Sequence, residues 1–116
     1  MTTTTPTAAA PVPGTVSALV HVDPADPVFA GHYPGFPILP GLFVVEHVRA
    51  ALREHVPGMR VVALDRAKFL RPVFPGDDLA IEVVLTREED RVRCAATAST
   101  AAGPVAEFKL RLGVVA

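Results

Sequence analysis

The chain has 116 residues, half of them hydrophobic, with 11 basic against 12 acidic side chains and a single cysteine. That length fits one domain with one modest core. The sequence holds no basic block for nucleic acid and no apolar run of bilayer length, and one cysteine cannot form a disulfide within the chain.

Residues 1–14 are rich in Thr, Ala and Pro, with little to bury, and read as a flexible tail. They carry neither the basic region nor the apolar region of a secretory leader, so the expectation is a cytoplasmic protein without a membrane segment. From Thr15 to Val22 apolar residues alternate at Val16, Ala18, Val20 and Val22, the period of a strand. Pro24 and Pro27 end it, because proline cannot donate to a ladder.

The segment from Asp23 to Pro40 carries five prolines. Each fixes φ and biases its predecessor toward extended backbone, so the loop loses little entropy on ordering. Such a loop aims a side chain well, and His32 sits in it. A helix is predicted from Gly41 to Val56. Val44, Val45, Val48, Ala51, Leu52 and Val56 share one face, and Pro57-Gly58 stops it. Leu42 and Phe43 make the first turn apolar nearly all round, which predicts deeper burial at that end than at the Arg53-Glu54-His55 end. Glu46 falls on the polar face with Arg49 and Arg53. By itself that position reads as an ordinary solvated helix pair, and His32 as a loop histidine with local hydrogen bonds.

Four strands are predicted beyond the helix. Arg60 to Val73 is rich in Val, Leu and Phe, and Pro75-Gly76-Asp77 is a turn. Leu79, Ile81, Val83 and Leu85 alternate with mostly polar residues up to a charged hairpin tip at Glu88-Glu89-Asp90. Val92, Cys94, Ala96 and Ala98 alternate next, then Ala106, Phe108, Leu110 and Leu112. The pattern predicts an α+β layer, one helix against an antiparallel sheet with one covered face. Cys94 is a small core residue by this alternation. His21, His47 and His55 share no metal-ligand spacing with carboxylates or Cys94, so no metal site is expected. Asp65 and Arg66 read as strand-fixing residues, and Asp77 and Asp78 as turn residues. The nine arginines outnumber two lysines. That ratio reflects genome composition, or it supplies a patch for an acidic carrier.

Two stretches resemble a known family. Gly31-His32-Tyr33-Pro34-Gly35-Phe36-Pro37, followed by Pro40-Gly41 and then Glu46, is similar to the signature of bacterial (3R)-hydroxyacyl-(acyl-carrier-protein) dehydratases. In both, the glutamate follows the histidine by fourteen residues. Asp65-Arg66-Ala67-Lys68-Phe69 and Pro72-Val73-Phe74-Pro75-Gly76-Asp77 resemble its second block, in the same order. Tyr33 stands where the family has phenylalanine, His47 where it has a small apolar residue, and Ala50 where it favours glutamine.

The resemblance implies a hotdog domain over 15–116: a central helix wrapped by a curved antiparallel sheet, in a homodimer with a continuous sheet. It implies two catalytic sites, each taking His32 from one subunit and Glu46 from the other. The expected reaction removes water from a 3-hydroxyacyl thioester on acyl carrier protein, or on coenzyme A, in fatty-acid or polyketide-type biosynthesis, with no cofactor and no metal. Within that frame the Gly41 and Leu42 amides at the helix start are candidate oxyanion donors. Tyr33 and Gly35 are candidate substrate-binding residues, and Leu42 and Phe43 would keep Glu46 dry enough to hold its proton. A hotdog thioesterase, an enzyme adding a nucleophile to an enoyl thioester, and a non-catalytic acyl-binding or assembly subunit are the alternatives.

Overall fold

The structure, a computed structural model, describes residues 13–27 and 41–114. The elements run β1 (Thr15–His21), α1 (Gly41–His55), β2 (Met59–Phe69), β3 (Asp78–Glu88), β4 (Arg91–Thr100) and β5 (Gly103–Val114). The predicted tail, apart from Pro13 and Gly14, and the loop bearing His32, Tyr33 and Gly35 lie outside the described residues.

The five strands form one antiparallel sheet in the order β1-β3-β4-β5-β2. Strands β3, β4 and β5 are a meander. Two residues connect the first hairpin, and Glu89 takes a φ of 50° there, the left-handed backbone such short loops require. Period-two alternation sends one side-chain set inward from each strand: Leu79, Ile81, Val83 and Leu85 from β3, Val92, Cys94, Ala96 and Ala98 from β4. β5 adds Ala106, Phe108, Leu110 and Leu112. Register sets Ala96 between Val83 and Phe108, so the small middle strand makes room for a large aromatic neighbour. Burial raises the Cys94 thiol to about 11, which leaves it a protonated core residue.

Helix α1 buries Val44, Val45, Val48, Ala51 and Leu52 in that same core, the face its period predicts. It closes at Val56, whose N–H donates to Leu52 O at 2.8 Å, and Gly58 at φ 90° turns the chain. Arg53 and His55 in the last turn complement the negative helix end. No described helix is long and apolar enough to cross a membrane.

Strand β2 departs from the expected length. It ends at Phe69, not Val73, because Pro72 cannot continue a ladder. The chain then crosses the end of the sheet. Leu70 N–H donates to Val105 O at 2.8 Å, and Arg71 Nε donates to Pro104 O at 2.8 Å. Val73 is buried, and Pro75-Gly76 makes the predicted turn with Gly76 at φ 88° and Asp77 N–H on Phe74 O. Gly76 N–H reaches Val22 O at 2.7 Å, which ties this turn to the end of β1. The Asp77 side chain accepts from Phe74 N–H, the turn role expected of it. Asp65 likewise fixes its strand: Arg111 donates to both its oxygens at 2.9 Å and holds its carboxyl below the usual range.

Candidate active site

The helix start and the end of β2 meet. Gly41 opens α1 against the Phe69 ring, and a Cβ at Gly41 would stand 2.7 Å from Phe69 Cε1 and 2.9 Å from Cζ. Only glycine admits the ring at that distance. The ring also packs edge-on against Phe108, centroids 5.6 Å apart at 70°. The two family-like stretches thus touch through Gly41 of one and Phe69 of the other. Phe69 was absent from the sequence-based site. The available signal was a glycine in one of the two family-like stretches and an aromatic in the other.

The first turn of α1 contains no acidic residue, so no carboxylate of its own occupies the positive helix end. Glu46 lies in the second turn. Its Oε2 accepts from Arg49 Nη1 at 2.9 Å, and its side chain is 56% exposed. The first turn is not buried all round: Leu42 is 74% exposed and Phe43 37%, while Val44 and Val45 are buried and the Arg53-Glu54-His55 end is exposed as expected. The reason is positional. The sheet covers the middle and the end of α1, and within one chain the described residues do not cover the outward side of its first turn. Phe69, Leu70 and Phe74 add exposed apolar surface where β2 ends. Glu46 is thus not in a dry setting among the described residues of one chain.

The remaining titratable candidates serve structure. His21 Nδ1 lies 2.9 Å from Asp78 Oδ1 on the surface, and His55 Nδ1 lies 2.9 Å from Ala51 O at the helix end. No group of three or more His, Cys, Asp or Glu residues able to hold a metal occurs among the described residues.

One helix lying on the concave face of a five-stranded antiparallel sheet defines the hotdog class. The solved dehydratase heterocomplex ApeI:P from Xenorhabdus doucetiae shares that fold, with a TM-score of 0.77 at 21% identity, covering 89% of this chain and 90% of that one. The model of the ApeI-like family, described as ApeI dehydratase, matches residues 11–106, and the chain belongs to that family. Among curated relatives, the 3-hydroxyacyl-[acyl-carrier-protein] dehydratase FabZ of Polynucleobacter necessarius is 34% identical over 99 residues, which is 78% of this chain and 66% of the relative. FabZ of Pelotomaculum thermopropionicum is 42% identical over 77 residues, 60% of this chain and 55% of the relative. The chain thus spans between about half and two thirds of the length of these relatives.

Proposed function

We propose that the chain is a hydro-lyase that converts a 3-hydroxyacyl thioester on acyl carrier protein into the trans-2-enoyl thioester and water. The observation that carries this reading is the fourteen-residue His32-to-Glu46 spacing, with Gly41 at the helix start falling between them in sequence. Membership of a dehydratase family supports it. Histidine is the side chain suited to general-base work near neutral pH, and His32 takes the C2 proton. The electron pair forms the C2–C3 double bond as the C3–O bond breaks, and Glu46 gives its proton to the leaving hydroxyl. Atoms and charges balance with no redox change.

The thioester oxygen gains charge as the C2 proton leaves, and the Gly41 and Leu42 N–H groups at the start of α1 are the proposed donors to it. Tyr33 and Gly35, which lie outside the described residues, are the proposed substrate contacts. The acid role of Glu46 asks for a drier site than one chain provides, and the exposed first turn of α1 is where a second subunit fits. Strand β2 supplies the route. It is an edge strand with Val62, Leu64 and Phe69 exposed, a row that invites another strand. A homodimer pairing β2 with its copy makes the sheet continuous and closes both sites.

Purified protein given 3-hydroxyacyl carrier protein is expected to yield a species lighter by one water, read by mass spectrometry of the intact carrier. Free acid and free thiol with no enoyl species would instead establish a thioesterase.

Gly41→Ala tests the helix start. The new Cβ displaces the Phe69 ring from Phe108, a loss of about 0.5–1.5 kcal/mol for an aromatic pair. Alanine offsets about 0.5–1 kcal/mol of that through its smaller backbone entropy cost. The melting temperature is therefore expected to shift little, while kcat falls about tenfold or more, since a 1 Å misplacement costs up to ~10²-fold. Wild-type turnover in this variant would remove Gly41 from the site.

A further inference from the structure

The contact between Phe69 and Gly41 has a support behind it. Register sets Phe69 of β2 opposite Ala106 of β5, and Ala67 opposite Phe108. Large and small residues thus alternate across this strand pair. The two rings stand on a diagonal, within the reach of aromatic side chains, and meet edge-on with centroids 5.6 Å apart. Phe108 and Ala106 are each 1% exposed, so the brace belongs to the close-packed core. From that core the Phe69 ring leans onto the first residue of α1. Its Cε1, Cζ and Cδ1 atoms lie within 3.0 Å of the place a Cβ on Gly41 would take.

The rest of α1 is held differently. Val44, Val45, Val48, Ala51 and Leu52 anchor it by their own buried side chains. Gly41 has no side chain to anchor, and Leu42 stands 74% exposed. The first residue therefore lies ahead of the buried set, at a helix end, where fraying is ordinary. The Phe69 ring is the stop against which it rests. A glycine there lets the backbone itself seat on the ring, so the spacing between sheet and helix start is the thickness of one aromatic contact. We propose that Phe69 is a positioning residue: braced by Phe108, its ring holds the first residue of α1 where the Gly41 and Leu42 N–H groups meet the thioester oxygen. The inference rests on the reading that the helix start receives that oxygen.

Phe69→Leu removes the ring and leaves an apolar side chain. It is expected to lower kcat about tenfold with KM within about twofold of wild type, the pattern of a contact made in the transition state. A merely structural role would lower the melting temperature and leave kcat of the folded enzyme unchanged. Coupling locates the effect. Leucine gives room to the Cβ of Gly41→Ala, so the double variant should lose no more than either single one. Losses that multiply to about a hundredfold would mean independent effects and overturn the role. The oxygen contact is read without turnover from the carbonyl stretch of butyryl-pantetheine, isotope-labelled at the carbonyl, which has no hydroxyl to lose. Its bound band should lie below the solution frequency in wild type and move back toward it in Phe69→Leu. An equal shift in both proteins would overturn Phe69 as a positioning residue and leave the helix-start contact standing, whereas no shift in wild type would overturn both. Absence of dehydration by wild type would defeat the activity reading, and the carbonyl shift in Phe69→Leu would still decide the role. A kcat that recovers with protein concentration would trace the loss to the β2 edge and overturn the role as well. If Phe69→Leu does not fold, Phe69→Met, whose flexible chain fills irregular space, gives the same readouts.

Discussion

Glu46→Gln is expected to lower kcat for dehydration by about 10²–10⁴-fold, the range for losing a positioned acid or base. Its effect on stability should be small. The side chain is more than half exposed and contributes nothing to the core. Its only described polar contact is the Arg49 guanidinium, a helix-surface pair of about 0.3–0.5 kcal/mol. Glutamine keeps the length and one acceptor oxygen, so an unchanged melting temperature with lost turnover would isolate the proton. Arg49→Ala is the control: it removes the same ion pair, keeps the carboxyl, and should cost far less turnover. If Glu46→Gln retained turnover within about tenfold of wild type, Glu46 would be the ordinary surface residue its helix face first indicated. His32→Ala carries the same expected loss, and its test does not depend on Glu46.

Much of the fold is legible in the sequence because its cues are local. Alternation in β3, β4 and β5 marks the inward set residue by residue, and the valine pattern of α1 marks its buried face. Pro75-Gly76 forms the turn its chemistry requires. Strand β2 is less legible. Its sequence is apolar well past the point where Pro72 ends the ladder, and composition does not show that it crosses to the far edge beside β5. Such pairing is non-local and leaves no period. The site divides in the same way. Resemblance to the dehydratase signature marks His32 and Glu46 as a candidate pair, and the helix start as a candidate donor of N–H groups. It does not reveal that Phe69 packs on Gly41, a contact between residues 28 positions apart. Nor does hydrophobic period say which chain covers an apolar face. Leu42 reads as a buried residue and stands open, because its cover is not among the described parts of its own chain.

That open face leads to the prediction that separates two kinds of site. If each site takes His32 from one subunit and Glu46 from the other, two inactive proteins can restore each other. In a mixed dimer of His32→Ala and Glu46→Gln subunits, one site receives both altered residues and the other receives both intact ones. Random exchange of equal amounts makes half the dimers mixed, so activity should return to about one quarter of wild type by the two-fold symmetry of the assembly. If both residues of a site came from one chain, every subunit in the mixture would be defective and activity would stay at zero. The experiment unfolds and refolds the two proteins together and counts mixed dimers by native mass spectrometry before the assay. Mixed dimers without activity would refute the shared site. Activity near one quarter would show that the exposed Leu42, the half-open Glu46 and the bare β2 edge are three faces of one feature: a catalytic centre that a single chain leaves unfinished.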